Sequence, residues 1–497
     1  GGVRPRPRRP GHPVTNEENT MTTTRRNARL AAAALALLLV ATAAAVAKAD
    51  PIDDYLRAEM ARNHIPAVSV AVVRDGRVVK LKAYGKANLE WDAPATPETA
   101  FPLASATKPL TATALMLLVQ DGKLSLDDPV GRHLRDDAPA AWDRVTVRRL
   151  ASHTSGIPDD FGQASVRTAA EGVAALAKRP LDFAPGTRAA YGLGGYVVLQ
   201  HLIERIAGMP FDAFLRERVF APLGMRGARF DNAADSGPAR AADLVPRRAG
   251  VYEWSPADSG GGAQRNFAFP FPAHGHSAGG LYASAADLAR WAAALDTGRL
   301  LAPATRDLMW TPGRLADGTE APFAVGWAVG TYRGRRTVGH SGGPALADVL
   351  RFVDDKLTVV VLANQQRMYP YLAQGVADRI VPAPPATQDP APVADADPET
   401  TASLFALLRG FAEGRVDPAP IAPDARPSLV GMIENFAMPW FRALGPPRSL
   451  ALLSDTRAAD GRRVRRYRAR HDGGKPVLWK FDIDADGRIV SLSPTPE

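Results

Sequence analysis

The sequence predicts an α+β fold: an antiparallel sheet flanked by helices, followed by a second, small α+β domain. Three observations predict it. Residues 50–380 begin and end on strand-patterned hairpins with helical segments between, and such ends pair most economically in one sheet covered by helices. Residues 381–400, VPAPPATQDPAPVADADPET, are rich in Pro, Ala and Asp, lack periodicity and read as a linker. Residues 401–497 then open on a helical pattern and close on strand-like runs, a length usual for one small domain.

The elements follow in order. Residues 52–64 have helical spacing with charges on the polar face. AVSVAVVRDGRVVKLKAYG (67–85) holds two β-branched runs around Asp75-Gly76, the mark of a hairpin. Residues 109–120 form an apolar helix stopped at Asp121-Gly122, 196–208 a second helix ending on glycine, and 285–295 a third. DVLRFVDDKLTVVVLAN (348–364) is strand–turn–strand around Asp354-Asp355. Past the linker, LFALLRGFAEG reads as helix and VRRYRARHD, KPVLWKFDID and GRIVSLS as strands. Six arginines within 461–471 fit either an anionic partner or a solvated edge strand, and the second reading is preferred.

The chain has 497 residues, 46% hydrophobic and 23% charged, enough apolar side chain for a large core and too much for bulk disorder. It has no cysteine, which excludes a disulfide framework, a thiolate zinc site, a cysteine nucleophile and a lipoprotein anchor. Of the net charge of +9, residues 1–49 carry +6, so the charge is not the footprint of nucleic-acid binding. Residues 1–20 are Pro- and Arg-rich, precede Met21 and read as an over-extended, disordered start. Residues 21–49 have signal-peptide layout: Arg25, Arg26 and Arg29, then an apolar run, then Ala47-Lys48-Ala49 before Asp50. A periplasmic or secreted protein cleaved after Ala49 is expected. The competing reading is a retained N-terminal membrane anchor.

Three stretches carry chemistry. In FPLASATKPLTATALMLLVQDGKLSLDDPV, Ser105 and Lys108 are three apart at a helix start and share one face. A serine hydroxyl needs a base, a lysine one turn on can act as one, and the helix N-terminus aims N–H groups at developing negative charge. Ser105 is the only serine in the chain with a lysine three residues on. In FAPGTRAAYGLGGYVVLQ, Tyr191 precedes a helix, and a phenol beside an ammonium has a lowered pKa that suits a general base. In RRTVGHSGGPALADVLRF, a strand runs into His340-Ser341-Gly342-Gly343, whose glycines permit close backbone approach and an oxyanion-hole N–H. Each stretch alone also fits a bland reading: a serine cap, a packing tyrosine, a glycine turn.

With TPETAFPLASATKPL, LASHTSGIPD, APGTRAAYGLGGYVVL, FAPLGM and AGGLYASAADLARW in that order, residues 51–380 resemble the serine β-lactamase and penicillin-binding-protein superfamily, in its class C-like branch. The resemblance implies a β-lactamase/transpeptidase-like sheet with a helical subdomain and acyl-enzyme chemistry without metal or organic cofactor. It implies Ser105 as nucleophile, Lys108 assisting its deprotonation and Tyr191 as base. It implies N–H groups of Ser105 and Gly343 as oxyanion hole, and His340, Ser341 and Gly342 lining the substrate cleft. The family asparagine two after the tyrosine is Leu193 here, and the lysine of the K-T-G strand is His340, a weaker carboxylate anchor.

Both departures favour an esterase of small carboxylic esters over a β-lactamase or D-stereospecific peptidase. The alternative of another class is a non-catalytic relative that binds penicillin or peptidoglycan fragments. The expected partners are a small ester or amide and a cell-wall fragment, not nucleic acid. Gly339–Gly343 also matches G-x-S-x-G, but Pro344 and a strand-like segment follow where a nucleophile elbow needs a helix. His274 and His276 are read as loop or cleft rim rather than metal ligands, and His153 as holding a loop by hydrogen bonds.

Overall fold

The computed structural model describes residues 1–2, 11, 50–159, 166–231, 244–256, 261–268, 271–343, 345–366, 372–382, 391–458, 461–472 and 476–496. The expected signal segment, residues 21–49, lies outside them, as does 383–390 of the linker. Residues 50–54 open the first helix, α1 (Pro51–Asn63).

The main sheet joins the first strands to the last. β1 (Ala67–Arg74) and β2 (Arg77–Asn88) form the expected hairpin, with Asp75 and Gly76 both at positive φ in its turn. β3 (Ala328–Tyr332), β4 (Arg335–Gly342), β5 (Ala345–Phe352) and β6 (Leu357–Gln366) follow near the end of this region. Along the sheet the order is β2-β1-β6-β5-β4-β3, every neighbour antiparallel, with Val70 opposite Val361 at the join between the two ends. A two-residue strand, Ala93–Pro94, borders β2, and a hairpin of Tyr252–Pro256 and Gly262–Asn266 touches β6.

Strand alternation sorts the two faces. Ala347 and Val349 of β5, Val360 and Leu362 of β6, and Ala71 and Val73 of β1 enter the main core with the helices. α2 (Lys108–Gln120), α3 (Gly194–Ala207) and α4 (Ala285–Thr297) supply that core. α2 is buried from Lys108 through Leu118, as a helix apolar all round must be. Each of its buried leucines contributes about 1.5–3 kcal/mol. α4 begins at a capping box of Ser284 and Asp287, and its Trp291 donates to Thr113 of α2 at 3.1 Å. On the other side of the sheet, Asp348 of β5 accepts from the N–H of Ala373 in α5 (Leu372–Ala377).

The C-terminal part is a separate four-stranded antiparallel meander of β7 (Pro447–Arg457), β8 (Arg463–His471), β9 (Val477–Ile483) and β10 (Ile489–Pro496). α6 (Pro398–Ala412) and the helical run 426–444 build its core, where Phe411, Trp440 and Phe441 meet Trp479 and Phe481. Asp397 caps α6, so the stretch expected to run on as linker to 400 already ends at Pro398.

The arginine-rich strand departs from its expectation. β8 is an inner strand between β7 and β9, not a solvated edge. Arg465 is fully buried and pairs with Asp395 and Asp455, Arg463 pairs with Asp397 and Asp455, and only the alternate Arg466 and Arg470 are exposed. Acids 8 to 70 residues away in sequence supply the counter-charge, so local composition could not show it.

Candidate active site

Ser105 sits in a 3-10 turn, Ala104–Thr107, that runs straight into α2. The early N–H groups of such a turn have no partner within it, so that of Ser105 is free to point at an anion. Ala104, just before it, is buried with φ +44, a left-handed conformation that costs an L-residue of this kind about 1–2 kcal/mol. One turn on, Lys108 is fully buried. Its Nζ lies 3.3 Å from Ser105 Oγ and donates to the carbonyl of Ala278 at 2.8 Å. That carbonyl is held in place from both sides. Thr111 of α2 donates to Ser277 O at 2.7 Å, and Ser277 Oγ donates to Tyr196 O of α3 at 2.7 Å.

Tyr191 stands at the mouth of the same space. Lys108 Nζ is 4.9 Å from its ring centre, and its hydroxyl is hydrogen-bonded to Ser105. The structure therefore brings Ser105, Lys108 and Tyr191 together. His153, at φ +58, brackets the tyrosine. Its carbonyl accepts from Ala190 N at 2.9 Å, its Nδ1 from Gly192 N at 3.4 Å, and its ring lies 4.4 Å from that of Tyr191. Its expected loop-holding role is thus exerted on the tyrosine itself.

The protonation states differ from a simple ion-pair picture. Burial pushes Lys108 down to about 7, with Asp159 pulling weakly the other way, so its amine is substantially neutral at neutral pH. The expected lowering of the Tyr191 phenol does not occur. Although the side chain is 45% exposed, its hydroxyl faces inward to Ser105, and burial of that end raises the phenol against the hydrogen bond, so it keeps its proton. Burial first, then the Lys108 charge, pushes His340 down to about 3, and His153 is lowered for the same two reasons.

β4 closes the cleft, and its pleat divides the His-Ser-Gly-Gly motif between two faces. Gly342 faces the nucleophile: a Cβ there would fall 1.9 Å from Leu103 O and 3.1 Å from Ala106 N, so only glycine lets the strand lie against the turn that carries Ser105. Gly343 follows in the turn beyond. His340 is on the same face, 6.0 Å from Tyr191 between ring centres, with Nδ1 2.9 Å from Ser341 O. A carbonyl can only accept, so Nδ1 carries the proton.

Ser341, expected to line the cleft, is turned the other way. It lies opposite Asp348 in the β4–β5 register and donates to that carboxylate at 2.9 Å, on the α5 side of the sheet. The reason is the period of two along a strand. The same geometry removes it as a nucleophile-elbow serine, since it sits within a strand rather than on a strand-to-helix turn. Leu193 packs its half-buried side chain on the main core, and only its N–H, donated to Asp159 at 2.8 Å, serves the neighbourhood. His274 and His276 lie in a short helical stretch, where His276 Nε2 is 3.1 Å from Asp231 O. Asp159, Phe323 and the Ala278 carbonyl were not singled out from sequence, because no fixed spacing ties them to Ser105.

A family model described as Beta-lactamase matches residues 52–378. The chain belongs to the beta-lactamase family. Esterase EstB of Burkholderia gladioli is 33% identical over 276 residues, covering 49% of this chain and 68% of the esterase. The crystal structure of D-amino acid amidase from Ochrobactrum anthropi SV3 complexed with L-phenylalanine amide superposes with a TM-score of 0.54 at 26% identity, over 66% of this chain and 95% of that one. The octameric penicillin-binding protein homologue from Pyrococcus abyssi shares the fold over 90% of this chain and 95% of its own, with a TM-score of 0.56 at 22% identity. The beta-lactamase family to which the chain belongs thus has esterase, amidase and penicillin-binding relatives.

Proposed function

We propose that this protein is an exported esterase that hydrolyses small carboxylic esters through an acyl-enzyme on Ser105. The observation that carries the reading is the Ser105 hydroxyl 3.3 Å from a buried, substantially neutral Lys108. In that state the amine accepts the Ser105 proton as Oγ attacks the ester carbonyl. The N–H groups of Ser105 and Gly343 hold the oxyanion. Tyr191, still protonated and hydrogen-bonded to Ser105, passes a proton to the leaving alkoxide and recovers it from Lys108. Water then attacks the acyl-enzyme by the reverse proton path and frees the acid. The base is thus Lys108, with Tyr191 as relay, rather than a tyrosine phenolate.

Ester is favoured over β-lactam by the two departures of the site. The family asparagine is an apolar Leu193 packed on the core, and His340 is neutral where a lysine would hold a carboxylate. Likeness to Esterase EstB supports the same choice. The test is intact mass of the protein after a fluorophosphonate probe, beside Ser105→Ala, followed by turnover of short-chain esters and a cephalosporin. One adduct lost in the variant, with ester turnover, is expected. Rapid cephalosporin hydrolysis without ester turnover would overturn the reading, and labelling without turnover of any substrate would support a binding protein instead. Export rests on the Arg25–Ala49 pattern, and a periplasmic or secreted product whose first residue is Asp50 is its expected sign. No described helix is long and apolar enough to cross a membrane.

A further inference from the structure

The charges around Ser105 are lopsided. Among the described residues, Lys108 is the one lysine or arginine with a hydrogen bond to Ser105 or a place over the Tyr191 ring, and its buried amine is committed to Ala278 O and Ser105 Oγ. His340 spends its one proton on Ser341 O. The Ser341 hydroxyl is held by Asp348 on the far face of the sheet. Neither the His340 ring nor the Ser341 hydroxyl is therefore left to hold a substrate carboxylate.

Asp159 is different. Its Oδ1 accepts from Leu193 N, two residues beyond Tyr191, and its Cβ lies 3.2 Å from where a Cβ on Gly192 would stand. It is exposed, and among the described residues no lysine or arginine pairs with it. Its charge reaches both Lys108 and Tyr191. The ring of Tyr191, the residue before Gly192, adjoins this carboxylate, and that ring in turn lies 5.9 Å from Phe323 between centres. An unpaired carboxylate beside aromatic faces is the chemistry that attracts an organic cation, since the ring faces carry negative potential.

We propose that Asp159, with the ring of Tyr191, forms a cation subsite at the mouth of the cleft, so that the preferred substrates are esters or amides bearing an ammonium group near the reacting carbonyl, while carboxylate-bearing molecules are turned away. This names the substrate class of the site just described and rests on its acyl-transfer reading. A purely structural Asp159, capping α3 through Leu193, would leave charge selectivity untouched.

The experiment compares three thioacetates with one acyl group and different leaving thiols, the released thiol being read by a chromogenic disulfide. They are acetylthiocholine (cationic), S-butyl thioacetate (neutral) and 3-(acetylthio)propionate (anionic). The full chain is expected to rank them cation, neutral, anion in kcat/KM. The span should be at least about tenfold at low salt, and should narrow in about 0.5 M salt, where exposed charges are screened. Asp159→Asn is expected to bring the cation-to-anion ratio to within about twofold of unity. An anionic ester as good as the neutral one, or an unchanged ratio in Asp159→Asn, would overturn the proposal. Should that variant fail to fold, the salt dependence of the parent's ranking decides. If none of the three is turned over while the fluorophosphonate still labels Ser105, the esterase reading falls separately. The same molecules then compete with the probe: the same order of protection supports the subsite and equal protection refutes it.

Discussion

Replacing Lys108 by methionine should abolish activity and yet stabilise the protein. The ammonium has an ordinary value of 10.5 and is held at about 7 by burial. At about 1.36 kcal/mol for each tenfold in protonation, that is a cost of roughly 5 kcal/mol at neutral pH, present because the unfolded chain carries the proton freely and the folded one does not. Methionine removes this cost and fills a similar volume. Against the gain stands the loss of two hydrogen bonds, with the buried Ala278 carbonyl left unpaired at about 1–3 kcal/mol. The net expectation for Lys108→Met is about 2 kcal/mol of added stability at pH 7, read as a higher urea midpoint with an unchanged slope. The sign with pH is fixed as well. Between about 7 and 10.5 the unfolded lysine binds more protons than the folded one, so the parent gains stability as pH rises, the gap to the variant closes at about pH 9, and the parent is the more stable of the two by about pH 10.5. A variant less stable than the parent at pH 7, or a gap that widens with pH, would show that burial does not disfavour the Lys108 charge.

Other expectations follow from the same geometry. Because Lys108 must be neutral to accept the Ser105 proton, log kcat/KM on an ester should rise with unit slope below about pH 7 and level off above it, and a flat profile from pH 5 to 8 would remove Lys108 as base. Gly342→Ala places a Cβ 1.9 Å from Leu103 O, so β4 must move off the Ser105 turn; a loss of about 100-fold in kcat/KM is expected, and near-parental kinetics would show that the approach is not needed. Asp296→Ala strands the buried Arg351, which also bonds Thr358 at 2.9 Å and stacks 4.5 Å over Trp310; a loss of about 3–5 kcal/mol in denaturant unfolding is expected, and a loss under 1 kcal/mol would show that the guanidinium finds water.

Much of the fold was legible because its signals are local. β-branched runs around Asp75-Gly76 and Asp354-Asp355 mark the hairpins whose pairing makes the sheet, and an apolar run ending at Asp121-Gly122 marks α2. Less legible were β7, with few β-branched residues, and the helical run 426–444, which is interrupted by two prolines. At the site, Ser105 with Lys108, Tyr191 and the His340–Gly343 stretch each stood out but each also fitted a bland reading, and the family pattern in its order joined them. What neighbours do to these groups was not legible. Which face Ser341 takes depends on the register of β4 against β5, and Asp159 meets Leu193 across 34 residues of chain.

Residue order alone pointed to the family, to the sheet domain with its smaller companion, and to a serine and a lysine one turn apart at a helix start. These depend on residue order and on periods of two and 3.6, which act over a few residues. Charge states and facings came from the packed chain. Burial lowers the Lys108 ammonium to about 7, keeps the Tyr191 proton in place and leaves His340 neutral, while packing turns Ser341 away, leaves Asp159 open and draws Arg465 inside among distant acids. Charge states and accessible faces depend on the solvent that folding excludes, and that exclusion is a property of the whole packed chain rather than of any stretch of it.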